Sequence, residues 1–173
     1  DNIRTVLAGA CPSSLVRAVF EGDADVSGLW RQMVELGWPA LGVREHAGGL
    51  GLGFVEVALL AEELGRAVAP GPLLATVTQF VPVLEAFDQV ELLGEIAAGR
   101  RSGALALVEN PVWGLGSIGT AADGDAAGGG VRLTGRKVAV LGGTQVDDFA
   151  VVARDSNSGE LGVYLVERAA VTV

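Results

Sequence analysis

The sequence predicts an α+β chain, with an all-helical domain over residues 1–101 followed by an antiparallel β-domain over residues 102–173. Three observations carry this reading. Up to Gly99, apolar residues recur at i, i+3, i+4 and i+7, the spacing of one helix face. Beyond Arg100-Arg101-Ser102-Gly103, short β-prone runs alternate with glycine-rich turns. In the first part, residues 36–71 read as a helix end, a glycine turn, a long helix and a second stop.

The elements follow in order. Ile3, Val6, Leu7 and Ala10 mark a short amphipathic helix, which Cys11-Pro12 breaks. Ser13 or Ser14 is placed to cap a second helix through Phe20, and Gly22 to stop it. Ser27 is placed to cap a third. There Leu29, Met33 and Leu36 line one face beside Trp30 and Val34, with Gly37 just past its end. Trp38-Pro39 closes that helix, because the residue before proline is pushed out of the α region.

Gly48, Gly49, Gly51 and Gly53 allow a tight turn with positive φ values. The helix Phe54–Arg66 follows. Its Glu56, Glu62, Glu63 and Arg66 share a sector of roughly 120°, with apolar residues around the remainder. That pattern predicts a helix lying inside a helical layer. Glu62 precedes Arg66 by one turn, the favourable order for an ion pair.

Pro70-Gly71-Pro72 is a rigid turn, with Pro72 suited to the first position of a new helix. Leu73, Val77, Phe80, Val81 and Leu84 continue at helical spacing, with a kink expected at Pro82. Asp88 and Glu91 form an acidic version of the capping box for a helix over residues 89–98, ended by Gly99. Strands are expected at 104–108, 117–121, 131–133, 137–141, 149–154 and 162–167. Residues 155–159 read as a hairpin loop and 122–130 as an exposed turn.

Composition excludes several classes. Hydrophobic residues make up 50% of the 173, and mean hydropathy is +0.44. No apolar run reaches the ~18 residues of a membrane-spanning helix. The apolar excess fits surface buried against a partner. It also fits the Ala, Gly, Val, Leu and Arg bias of a high-GC genome, since Lys137 stands alone beside eleven arginines. The net charge of −9 argues against nucleic acid as a partner, because phosphate binding needs concentrated positive charge. Cys11 is the sole cysteine, which leaves no disulfide and no thiolate metal site. With no secretory leader, a cytoplasmic location is expected.

Spaced glycines at Gly48–Gly53 invite comparison with a dinucleotide fingerprint. That motif needs a strand before it and a βαβ unit around it, whereas the context here is helix, turn, helix. Gly142-Gly143 fails too, because Thr144–Asp148 leaves no room for a helix. His46 has no serine and carboxylate partners at any recognisable spacing. Glu45, Glu62 and Glu63 read as helix-surface and ion-pairing groups. Trp30 and Trp38 read as packing residues, and Trp113 as a loop aromatic after the first strand.

Two longer stretches resemble a known family. LGWPALGVREHAGGLGLG, followed by EELGRAVAPGPLLAT, is similar to the amino-terminal helical domain of the acyl-CoA dehydrogenases, and resembles their sequence-divergent actinobacterial members. The segment VRLTGRKVAVLGGTQVDDFAVVAR is similar to the family's middle β-domain. The stretches keep the family's order and spacing, so the resemblance covers nearly the whole chain.

The resemblance implies an FAD enzyme of acyl-CoA α,β-dehydrogenation, and it points to flavin-contact positions. In the family the first β-domain strand ends in Thr-Glu-Pro, whose threonine bonds the flavin ring; the matching residues are Val108-Glu109-Asn110, after Leu107. A Trp-Ile-Thr motif packs an aromatic and a hydroxyl against the flavin; Ala139-Val140-Leu141 match it, after the shared Gly135-Arg136-Lys137. Leu107, Val108, Val140 and Leu141 therefore occupy degenerate flavin-contact positions. Two unsatisfied polar contacts cost of order 1–3 kcal/mol each, which argues against this β-domain holding the isoalloxazine ring.

The family's catalytic glutamate, which removes the α-proton while the β-hydride passes to flavin, lies in a carboxy-terminal helical bundle absent from these residues. No catalytic residue and no metal ligand is assigned in this chain. Arg100, Arg101, Arg132 and Arg136 are candidate phosphate contacts for CoA or FAD, with solvated surface as their alternative role. Three readings follow. The first is the degenerate partner of a homologous flavin-binding subunit, in a heterotetramer of lipid or sterol side-chain β-oxidation. The others are a self-sufficient acyl-CoA dehydrogenase recorded in part, and a non-enzymatic scaffold or acyl-CoA binding module.

Overall fold

The computed structural model describes residues 2–110, 114–124 and 130–173. Trp113 and the middle of the expected turn at 122–130 lie outside these residues. The chain divides into two units, Asp1–Ser102 and Gly103–Val173.

The first unit is helical. Its elements are α1 (Asn2–Ala10), α2 (Ser13–Glu21), α3 (Ser27–Glu35), α4 (Phe54–Arg66), α5 (Leu73–Ala75), α6 (Val81–Ala86) and α7 (Val90–Ala97). Leu7, Leu29, Met33, Trp38, Val57, Leu60, Leu64, Leu73 and Val77 form one buried cluster. Arg4 on α1 clasps Glu63 on α4 at 2.6 and 2.9 Å, and Glu62 meets Arg66 at 2.8 Å, the expected i,i+4 pair.

The glycine stops hold. Gly22, Gly37 and Gly99 all take the left-handed conformation, which costs glycine no side-chain clash. The capping assignments do not hold. Ser27 is the first helical residue of α3, and the acceptor is Asp25, whose carboxylate takes the Ser27 backbone N–H at 2.8 Å and its hydroxyl at 2.7 Å. Neither Ser13 nor Ser14 caps α2, which starts after an extended Pro12 with no side-chain cap. Asp88 adopts φ 53° and spends its carboxylate on Arg44 at 2.6 Å, so it does not cap α7. For Ser27 and Asp88 another side chain takes the place of the expected partner.

At Pro82 the helix shows a local irregularity just before the proline rather than a stop. α5 and α6 are joined by a π-helical turn, Thr76–Phe80. The Thr76 and Thr78 hydroxyls bond back to the carbonyls of Pro72 and Leu74, one turn earlier. A wider turn relieves the contact between a proline ring and the carbonyl four residues before it.

The largest departure concerns α4. Val57, Leu60 and Leu64 are buried, but Phe54, Val55 and Leu59 are 85%, 65% and 55% exposed. The helix is not enclosed by a layer of this unit. An apolar helix wheel signals burial against something, and only one of its two apolar faces finds a partner among the described residues.

The second unit holds a sheet of β1 (Gly103–Ala106), β2 (Ala121–Gly124), β3 (Val131–Thr134), β4 (Asp148–Asp155) and β5 (Leu161–Glu167). Helices followed by a sheet is the expected α+β organisation, but the pairing is mixed rather than antiparallel throughout. β4 runs antiparallel to β5 and β2 to β3, while β1 and β2 both run parallel to β4. β5 pairs along nearly all of β4 on one side, so β1 and β2 share the other. The six residues from Asp148 to Ala153 are all buried, as a strand flanked on both sides requires. The hairpin at 155–159 forms as expected. The Asp155 carboxylate accepts the N–H groups of Asn157 and Ser158, and Gly159 takes φ 75°.

Two expected strands are absent. Residues 137–141 carry no strand: Ala139 sits at φ 52° and a turn follows. Residues 115–117 form a short 3₁₀ turn, and β2 begins only at Ala121. β1 itself ends at Ala106, so Leu107 and Val108 lie past its end.

Candidate functional site

The site grows from the segment just past β1. Glu109 points into the interior of the sheet unit, where its side chain is 14% exposed. One carboxylate oxygen accepts Lys137 Nζ at 2.6 Å, the Thr120 hydroxyl at 2.5 Å and the Thr120 N–H at 2.9 Å. The other accepts the Gly119 N–H at 2.7 Å. Burial pushes the Glu109 pKa up, but these hydrogen bonds outweigh it and bring the carboxyl down to about 2. Lys137 Nζ also donates to the Leu107 carbonyl at 3.2 Å, and the Val138 N–H donates to the Val108 carbonyl at 2.7 Å.

One buried ion pair thus ties together the exit of β1, the approach to β2 and the segment after β3. Gly135 permits this. A Cβ at that position would stand 2.4 Å from the Thr120 hydroxyl oxygen and 2.7 Å from its Cα.

Beside this clamp is a pocket of about 210 Å³. Leu107, Val108, Leu115 and Ile118 supply its apolar walls, with Glu109, Asn110, Gly114 and Ser117 completing the lining. Of the four residues that the resemblance matches to flavin contacts, Leu107 and Val108 border the pocket, whereas Val140 and Leu141 are not among its lining. Val140 accepts a turn hydrogen bond from Gly143, and Leu141 is exposed. The Val108–Val138 backbone bond brings the two segments alongside each other even so.

Elsewhere the candidates resolve into structural roles. The glycine loop at 48–53 spends its N–H groups inward: Leu50 donates to the Ala40 carbonyl, Gly51 to Val43 and Leu52 to Leu41. No cradle of N–H groups is left to hold a phosphate. His46 is exposed in a short turn. Trp38 is buried, and the Trp30 indole donates to the Gly99 carbonyl at 3.2 Å. Arg100 is paired with Glu95 at 2.8 Å. Among the described residues no group of His, Cys, Asp or Glu side chains is arranged to hold a metal ion, and no single helix is long and apolar enough to cross a membrane.

Residues 3–99 match the family model described as Acyl-CoA dehydrogenase, N-terminal domain. The chain belongs to the acyl-CoA dehydrogenase family. It is 34% identical over 110 residues to the acyl-CoA dehydrogenase IpdE2 of Mycobacterium tuberculosis, an alignment covering 62% of this chain and 35% of that protein. It is 33% identical over 160 residues to the benzylmalonyl-CoA dehydrogenase of Aromatoleum aromaticum, covering 87% of this chain and 41% of the relative. Among solved structures, a variant of the Tcur3481-Tcur3483 steroid ACAD superposes with a TM-score of 0.79 at 31% identity, over 95% of this chain and 45% of that one. The ChsE4-ChsE5 complex from Mycobacterium tuberculosis superposes with a TM-score of 0.78 at 26% identity, over 95% and 44%. The chain therefore spans less than half the length of these acyl-CoA dehydrogenases.

Sequence reading missed the clamp. Glu109 stood only as the middle of a degraded motif, and Lys137 as the start of a strand that does not form. The available signal was the single lysine among eleven arginines. A compact ammonium on a flexible stem fits a small buried site that a guanidinium fork does not.

Proposed function

We propose that this acyl-CoA dehydrogenase chain is the degenerate partner in a heteromeric enzyme that desaturates acyl-CoA thioesters at the α,β position, in lipid or sterol side-chain β-oxidation. The observation that carries the reading is the contrast at the end of β1. The scaffold residues Gly135, Lys137 and Glu109 keep a complete buried clamp. Val108 beside the clamp, and Leu141 in the turn after Lys137, have no hydroxyl to offer a flavin. The carbonyls of Leu107 and Val108 are committed to Lys137 and Val138. The residues present do not fit the polar edge of an isoalloxazine ring, so the FAD of the assembled enzyme belongs to the partner subunit.

This chain contributes shape. The exposed face of α4 carrying Phe54, Val55 and Leu59 supplies one apolar wall of the acyl cavity once the enzyme is assembled. An apolar wall lets a hydrocarbon chain shed its water, at about 25 cal/mol per Å² buried. Support also comes from two structural relatives above, one described as a complex and one as a steroid ACAD of two named components.

The test is flavin stoichiometry after purification with and without a homologous subunit that keeps Thr-Glu-Pro and Trp-Ile-Thr. About one flavin per two chains in the co-purified complex, and none on this chain alone, is expected. One flavin per chain in the isolated protein would overturn the reading in favour of a self-sufficient dehydrogenase.

A further inference from the structure

We infer that α2 is a hinged strap, which swings away from the helical unit as one piece while the helices on either side of it stay folded. Burial sets α2 apart. α1 seats Leu7 in the interior, α3 seats Leu29 and Met33, α4 seats Val57, Leu60 and Leu64, and α7 seats Leu93 and Ile96. α2 seats no buried side chain. Val16 is only partly buried where it packs against the cluster that contains Leu7 and Cys11, and Phe20 is 92% exposed.

Polar bonding does not hold it either. α1 is clasped to α4 through Arg4 and Glu63. Among the described residues, no side chain from Ser13 to Glu21 is hydrogen-bonded or ion-paired to another element. The two ends supply the pivots. Pro12 is extended and offers no side-chain cap, and Gly22 stands in the left-handed region at φ 84°. A proline that ends one helix and a glycine that turns freely place both changes of direction outside α2. A helix of nine residues has marginal stability by itself in water. Segments with few buried apolar contacts open at a small fraction of the global unfolding free energy. Opening uncovers the seat of Val16, so an apolar surface closed in the resting fold becomes accessible in the open one. This motion is independent of the acyl wall proposed above.

The experiment is native-state hydrogen exchange of the ¹⁵N-labelled full chain, in water and in low urea. Arg17, Ala18, Val19 and Phe20 on α2 are expected to exchange through one common opening with little urea dependence. Their protection should be about 100-fold below that of Leu7, Met33, Leu60 and Leu64 on the flanking helices. Val16→Ala should speed exchange in α2 by about three- to tenfold, the effect of trimming a partly buried side chain, and leave the flanking amides within about twofold. The proposal is overturned if α2 and α4 share one protection level and one urea dependence, since α2 then opens only with the whole unit. It is equally overturned if protection falls off gradually from the ends of α2, which is fraying, or if Val16→Ala speeds α4 as much as α2.

Discussion

Lys137 Nζ lies 2.6 Å from Glu109 Oε1, joining two segments 28 residues apart with side chains that are only 9% and 14% exposed. Removing one member of such a pair strands the other as a buried charge, which costs about 3–5 kcal/mol. Lys137→Met is expected to destabilise the sheet unit by that order, while Lys137→Met with Glu109→Gln, which removes the charge and keeps an acceptor for the Thr120 and Gly119 donors, recovers much of the loss. Urea denaturation read at Tyr164, the sole tyrosine, on β5, measures it. Equal losses in the single and double variants would show that the pair has no special role.

The same carboxylate gives a pH dependence of definite sign. Glu109 falls from 4.5 to about 2 in the folded chain. A carboxyl with a lowered folded pKa stabilises the fold above its unfolded value, and that contribution is lost as pH falls toward the folded value. Stability of the sheet unit should therefore drop by of order 2 kcal/mol between about pH 5 and pH 2 on this account alone. Glu109→Gln removes that component. Denaturation midpoints for both proteins at about pH 6 and pH 3 should converge toward low pH; parallel curves would contradict it.

Gly49 and Gly135 are required by space. A Cβ at Gly49 would stand 1.9 Å from the Val43 carbonyl oxygen, and that oxygen is held by the Gly51 N–H. Gly49→Ala should destabilise the helical unit by about 3 kcal/mol, the upper range for overpacking. Gly135→Ala should cost about 3 kcal/mol in the sheet unit, because the clash reaches the Thr120 Cα and a hydroxyl already held by Glu109. Thermal melts that leave either variant within about 0.5 kcal/mol of the parent would refute the packing argument.

Paired substitution of Phe54→Ser and Leu59→Ser should leave the isolated chain's stability within about 0.5 kcal/mol, since both side chains already meet solvent. In the heteromeric enzyme proposed above it should raise KM for long acyl-CoA substrates several-fold with little change in kcat, the pattern of lost uniform binding. An unchanged KM would remove α4 from the acyl cavity.

Much of the helical unit was legible because its stops are local. Gly22, Gly37 and Gly99 need a left-handed backbone, and α4 runs from Phe54 to Arg66 as its pattern implies. What failed was competition among partners. Asp25 outbids Ser27 as an acceptor because its carboxylate reaches two donors at once. Asp88 turns to an arginine 44 residues away, which no local rule encodes. In the sheet unit, the run after Lys137 has the apolar texture of a strand, yet a single backbone bond to Val108 and a left-handed Ala139 take it elsewhere. The clamp was hidden for the same reason: its members come from three separate segments, and only the fold brings them together.

β4 has a consequence for how the chain reaches its native state. It alone touches β1, β2 and β5. Gly103 aligns with Asp148, so β1 waits for residues far downstream before it has a neighbour. Closing such a loop must precede any reward from the pairing, and topologies of this kind fold slowly. On the ribosome, the helical unit can consolidate while the first strand emerges with nothing to pair with. A polypeptide that stops short of Asp148 keeps β2 and β3 as an isolated hairpin, a form marginal at best in water. Biosynthesis of the sheet is thus gated by a strand near the end of this sequence, leaving the apolar exit of β1 exposed to chaperones or to aggregation in the interval.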